Sequence, residues 1–545
     1  MAVLGLALVV AACGGGGDVE QGGVFRLGIV EPTSIDPYNA QESAGETGSI
    51  PRAVNTTPLA VTQALFEGLV TLDPASSALA PGVAEKWEHD AACGQWTFHL
   101  RSGTTFSNGE VVTARSFIDG MSRAAAQAAG SDTAHFMDGI EGYEAVRGGA
   151  DGSPPTAATL SGLSAPDDTT LVVKLAEPDC EFDILTLRPV FSPVPTVAGS
   201  VDPNSAYFAM PVGNGPFKMR EPWNRNTSIA LVRNDLYYGT KAHLDQVHFS
   251  ILPVENAADQ EYRNFRGGQA DWARIPPAVL PEAQATYGPR NEFIAQPSLG
   301  INFLLVNVVN PPLNTIEARQ AISLAIDRDA VIREVFNGFQ AKATSLVPPA
   351  LMRFHQPGVC IVCDQPNLAR ARELAEAGGI PPGTTVRFSF NTGGGHEAWV
   401  EAVARQLRDG LGLNIELLGM PFPELLQAEE SPDATGLFRA SWGADYPSAD
   451  AFLRPLLATG SLAPGDNRGH YQSPQFDVVL DEALRAPDQD QKVALTRRAE
   501  RIAIGEDLAL IPLWYRTQYR VFSDKFADVT LDFFENPDLA RIRLA

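Results

Sequence analysis

Strand-patterned stretches alternate with helix-patterned stretches along nearly the whole of this 545-residue chain. No other sequence feature constrains its fold as strongly. Residues 24–30, "VFRLGIV", have a strand's composition, and the prolines of "EPTSIDPYNA" end them. A helix-like run covers 58–70. From Trp96, "WTFHLRSGTTFSNGEVVTARSFIDGMSRA" reads as strand, turn, strand, helix, with Asn108-Gly109 supplying the positive-φ positions of a tight hairpin. The Ala/Gly/Ser/Pro-rich stretch 125–163 reads as an irregular excursion, and 169–178 as a further strand. Beyond 210, "PVGNGPFKMRE" and "TSIALVRNDLYYG" are strand-like. Residues 318–336 form one amphipathic helix, with Ile322, Ala325, Ile326, Ile332, Val335 and Phe336 on one stripe, Asn314 as its cap and Glu317 in its first turn. "TTVRFSFNT", "EAWVEAVARQLRDGLG" and "LNIELLGM" give strand, helix, strand. Ser473 caps a helix that carries Pro474 in its first turn. This alternation predicts α/β architecture. The length exceeds what one hydrophobic core serves, so two or three lobes are expected.

Charge and the amino terminus narrow the function. With 41 Lys+Arg against 65 Asp+Glu, the formal net charge is −24. Such a surface repels phosphate backbones, so no nucleic-acid partner is expected. "MAVLGLALVVAAC" is too short for the roughly 20 apolar residues of a membrane span and reads as an export signal. Val10-Ala11-Ala12-Cys13 resembles a bacterial lipobox, in which Cys13 takes the lipid, and "GGGGDVEQGG" follows as a linker. No Lys or Arg precedes the apolar run, which is consistent with a start upstream of Met1.

Without Cys13, four cysteines remain: Cys93, Cys180, Cys360 and Cys363. An even number outside the cytoplasm favours two disulfides. Cys360-Ile-Val-Cys363 is compatible with a redox pair or half a zinc site, but no second Cys-x-x-Cys follows. A local Cys360–Cys363 bridge is expected, leaving Cys93 with Cys180 by elimination and the connectivity itself open. Catalytic signatures are missing. There is no Gly-Lys of a phosphate loop and no Gly-x-Ser-x-Gly elbow, and His396-Glu397 lacks the second histidine of a zinc helix. Neither an enzyme nor a bound metal or cofactor is expected.

"FRLGIVEPTSIDP", "ALFEGLVTLDP", "PGVAEKWE", "WTFHLRSGTTFSNGEVVTA", "PVGNGPFKM", "LVRNDLYYG", "ARQAISLAIDRDAVI", "SWGADYPSADAFL", "HYQSPQFDVVLDEAL" and "LIPLWY" occur in one order over residues 24–520. Together they resemble the extracytoplasmic solute-binding proteins of the peptide/nickel ABC importer family. The resemblance implies an α/β, two-lobed clamp of three domains with a hinge. After the signal and linker (1–23), domain I would comprise 24–57, 183–299 and 509–545, domain II 58–182, and domain III 300–508. It implies a monomeric lipoprotein held to the outer face of the cytoplasmic membrane by its lipid alone. Such a protein would capture an extended oligopeptide and pass it to permease subunits with their ATPases. The alternatives weighed are the same fold carrying haem or a metal chelate and, from another class, a secreted peptidase.

The same resemblance assigns the site. Asp445 matches the aspartate that receives a peptide's α-ammonium group. A charge sealed in a dry cleft must meet its opposite or cost several kcal/mol. An Asx turn before Pro447 is the structural alternative. Ala440, Ser441, Trp442 and Gly443 would offer backbone groups to the ligand as an added strand. Trp442 also suits the core, and Tyr446 follows in the same segment. Glu31 and Thr33 match the facing segment, and Phe422 matches an aromatic pocket wall. Arg439 and His396 match positions that contact peptide carboxylates, a guanidinium being able to hold one bidentately. His396 reads equally as an exposed loop residue. The chain departs from the family pattern by having Glu334, Phe336 and Glu429-Glu430 where further basic residues are usual.

Overall fold

The computed structural model describes residues 22–40, 58–73, 78–149, 153–253, 256–444, 446–462, 466–532 and 534–545. Cys13 and Asp445 lie outside the described residues.

Strand β1 (Val24–Val30) opens the first lobe, and α1 (Pro58–Leu65) follows. The helix-like run therefore ends five residues before position 70, and Val70 already belongs to a short strand. Strands β2 (Ala84–His89) and β3 (Gln95–Leu100) precede α2 (Ala114–Ala125), and β4 (Leu163–Asp167) and β5 (Thr170–Lys174) complete an antiparallel sheet in the order β2-β3-β5-β4. Only Gly109 of the Asn-Gly pair has positive φ. The Asn108 side chain instead accepts a hydrogen bond from Glu110 N at 3.0 Å, an Asx turn. The second strand expected there reduces to one bridge, Thr105 with Val111. Among the described residues the irregular stretch contains two 3-10 turns, Gln127–Ala129 and Ala134–Met137, and a short α-helix, Tyr143–Arg147.

Strands β6 (Phe217–Met219), β7 (Ser228–Arg233) and β8 (Gln246–Leu252) join β1 in the order β1-β8-β7-β6. β1 and β8 are parallel neighbours, and the β2-β3-β5-β4 sheet is inserted in the chain between them, ahead of β6 and β7. A single core serves both sheets, containing residues between Phe25 and Trp272 together with Phe526 to Ile542.

A third sheet builds the other lobe. Its main strands are β9 (Trp272–Arg274), β10 (Phe293–Leu305), β11 (Thr385–Asn391), β12 (Asn414–Met420), β13 (Leu437–Gly443) and β14 (Ile511–Phe522), in the order β9-β14-β10-β13-β11-β12, and the short strand Ala341–Lys342 also pairs with β14. The second core contains residues from Leu299 to Tyr515. Antiparallel β10 and β14 run from one core to the other, forming a two-strand crossing. Their pairing breaks between Pro297 and Ile301, where a proline without an N–H and Gly300 interrupt the ladder.

Helices cover this sheet: α3 (Ile316–Ala325), α4 (Arg328–Phe336), α5 (Glu397–Leu411), α6 (Phe422–Glu430), α7 (Asp450–Leu457), α8 (Pro474–Leu484) and α9 (Gln489–Glu500). The single helix expected over 318–336 is two. Thr315, not Asn314, caps the first, and Asp327 caps the second by accepting from Ala330 N. The break exposes carbonyls that the buried Arg328 guanidinium collects, donating to Ser323 O, Ile326 O and Pro512 O. Ser473 caps α8 as expected. The disulfides are Cys93–Cys180 and Cys360–Cys363.

Candidate functional site

β13 is bonded to β10 from Phe438, opposite Leu305, to Gly443, opposite Gly300. On its other side it meets β11 only at Leu437 and Phe438. From Arg439 to Gly443 that second edge has no strand neighbour among the described residues. A free edge presents a row of backbone N–H and C=O groups that must find water or another chain. Ala440, Ser441, Trp442 and Gly443 are half-buried there.

Unpaired polar side chains gather where β11 and β13 part. Asn391, wholly buried, has partners for neither its carbonyl oxygen nor its amide nitrogen, and His396 Nε2 and Arg439 Nε also lack them. A side chain in place of Gly394 would run into both Asn391 and His396, so these two lie together. Arg439 is 4% exposed, and its one hydrogen bond among the described residues goes to Ser441 Oγ at 3.3 Å. Burial pushes its pKa down to about 10 although Glu429 opposes the shift. Burial, with Arg439 second, pushes His396 down to about 3, so its imidazole is neutral. The ring accepts from Trp399 Nε1 at 3.1 Å through Nδ1, which leaves Nε2 to carry the proton as a donor. His396 is thus partly buried and not the exposed loop residue of the alternative reading. Each unpaired buried group costs about 1–3 kcal/mol, and four such atoms in one place mark a surface that a ligand or water completes.

The remaining site residues are dispersed. Trp442 donates to Ala451 O at 2.7 Å and packs against the second core, so its indole N–H is already used. Phe422 opens α6 half-buried against that core. Tyr446 donates weakly to Asp450 at 3.5 Å, and burial raises its pKa. In the first lobe, Glu31 accepts from Asn226 N at 3.0 Å and stands 3.7 Å from Arg225, while Thr33 is exposed. Among the described residues no hydrogen bond joins either of them to β13. Of the acidic departures, Glu334 pairs with Arg405 at 2.7 Å and Glu429 stands 3.6 Å from Arg468.

Sequence reasoning missed Asn391 and Arg516. Asn391 ends a strand on the face it shares with the buried Ser389, opposite the apolar Val386, Phe388 and Phe390, an alternation visible in "VRFSFN". Arg516 directly follows "LIPLWY", but its neighbours Gly300 and Gly443 are brought together only by the sheet register. A cavity of about 500 Å³ also opens beside the crossing, lined by α1, Gln296 to Leu299, Ala350 and Thr530 to Ala540. None of the expected site residues that are described lines it.

Two lobes, a pair of crossing strands and an unpaired strand edge beginning at their junction define a clamp-type binding protein. The family model for bacterial extracellular solute-binding proteins, family 5 (middle), matches residues 78–463, and the chain belongs to that family. It is 30% identical over 474 residues to the periplasmic oligopeptide-binding protein OppA of Salmonella typhimurium, covering 85% of this chain and 83% of that one. It is 23% identical to heme-binding protein A of Haemophilus influenzae, covering 87% and 88%. The unliganded open form of the periplasmic murein tripeptide-binding protein MppA superimposes with a TM-score of 0.79 at 24% identity, over 96% of this chain and 97% of that one. The family is one of binding proteins that act outside the cytoplasm.

Proposed function

We propose that the chain is the substrate-binding lipoprotein of an ABC importer, capturing extended oligopeptides between its lobes and delivering them to a permease. The observation that carries this reading is the open edge of β13 from Arg439 to Gly443. An extended peptide satisfies such an edge with its own backbone, largely regardless of side chains. The similarity to OppA supports the same cargo class. Arg439, Asn391 and His396 supply donors for a carboxylate, and Asp445 receives the α-ammonium group. Glu31, Thr33, Phe422 and Tyr446 contribute from the facing segment and pocket walls. Cys13 carries the lipid, the protein acts as a monomer, and it performs no catalysis. Ligand contacts on both lobes favour the closed state, which the permease reads.

Incubation with a mixed peptide digest, then mass spectrometry of what co-purifies, tests the reading. Intact short peptides are expected. Cleaved peptides would point to a peptidase, and haem seen by its absorbance would point to the cargo of the Haemophilus relative. Asp445→Asn is expected to weaken peptide affinity more than tenfold by calorimetry; unchanged affinity removes Asp445 from the site.

A further inference from the structure

Arg516 stands at the β10–β14 interruption, between the Tyr515–Ile301 and Thr517–Pro297 pairs. Its guanidinium lies across Gly300 and Gly443, which face each other in adjacent strands. A Cβ on Gly300 would come within 1.9 Å of Arg516 Nε, and one on Gly443 within 2.7 Å of an Nη. Two glycines in register therefore make the slot that this side chain occupies. Arg516 forms no hydrogen bond or ion pair with any described residue, and its Nε is buried without a partner. This holds in a chain whose acids outnumber its bases by 65 to 41. A guanidinium left unpaired at a half-buried strand edge lacks a carboxylate.

We propose that Arg516 is a specificity-determining residue that holds a carboxylate of the ligand, so that the protein prefers peptides with an Asp or Glu side chain. The inference rests on the peptide reading above. Gly443 ends the open edge of β13, so an extended peptide added along that edge brings its side chains past Arg516. The charge of Arg516 lowers the pKa of the neighbouring Arg439, so the two cations stand close enough to make this end of the edge positive.

Calorimetry with the full chain and two tripeptides, Ala-Ala-Ala and Ala-Glu-Ala, tests this. The native protein is expected to bind the glutamyl peptide at least tenfold more tightly. Arg516→Gln should bring the two affinities within about threefold of each other. Gly300→Ala, which evicts the guanidinium while keeping its charge, should also erode the preference. Equal affinity of the native protein for both peptides overturns the inference while leaving peptide capture standing. If neither these peptides nor any in a mixed digest bind, peptide capture itself fails, and this inference with it.

Discussion

His396 joins chain position to electrostatics at the scale of one residue. Its imidazole is held neutral chiefly by burial, with a pKa near 3 against an ordinary 6.5. A depressed pKa gives stability that is fully present above the unfolded value and is lost as pH falls from about 6.5 toward 3. His396→Gln cannot titrate, so it should escape that loss. Relative to the native chain it should gain on the order of 2 kcal/mol between pH 7.5 and pH 4, measured by urea unfolding. A constant difference at the two pH values would show that the ring titrates normally. Glu429 runs the opposite way. Burial raises its pKa to about 7, and the stability it contributes is lost as pH rises toward 7. Comparing native and variant chains at each pH cancels that background. The histidine was visible in "NTGGGH", with Trp399 three residues on, but its environment was not, because Arg439 is brought to it by a strand distant in sequence.

Elements are held by links whose strength depends on the chain they close. Cys93 and Cys180 are 87 residues apart in sequence, whereas Cys360 and Cys363 are three apart. Loop-closure entropy makes the first bridge worth about 4–5 kcal/mol and the second about 2 kcal/mol. Cys93→Ser with Cys180→Ser should therefore lower unfolding free energy by more than twice what Cys360→Ser with Cys363→Ser removes. Denaturant unfolding of the two double variants checks this, and equal losses would assign the effect to packing instead of chain entropy. The same scale explains the helix misread over 318–336. Its apolar stripe continues across Ile326 and Asp327, so periodicity sees one helix. The break exists because Asp327 caps a new helix and Arg328 takes up the freed carbonyls of Ser323 and Ile326, together with Pro512 O from a strand far along the chain.

At the scale of the whole molecule, the lobes are joined by more than the crossing strands. Lys492, 1% exposed, donates to Cys180 O at 2.8 Å and stands 3.6 Å from Glu181. Ser448 donates to the same carboxylate at 2.6 Å. Glu181 is buried, and desolvation raises its pKa. Removing one member of a buried ion pair strands the other. Lys492→Met should cost about 3–5 kcal/mol, read as a lowered thermal midpoint. Lys492→Met combined with Glu181→Gln should recover part of that loss. A single variant as stable as the native chain would show that the pair contributes no net stability.

Local pattern by itself determined the α/β class, most strands, the capped helix after Ser473 and the order of segments that marks the family. These depend on propensity and periodicity within a few residues. Only the tertiary structure decided that β11 parts from β13 after Phe438, that Asn391 and His396 meet Arg439, and that Gly300 faces Gly443 beneath Arg516. Strand register and long-range burial set those facts. A neighbouring strand found along Ala440 to Gly443 would remove the binding edge on which the functional reading stands.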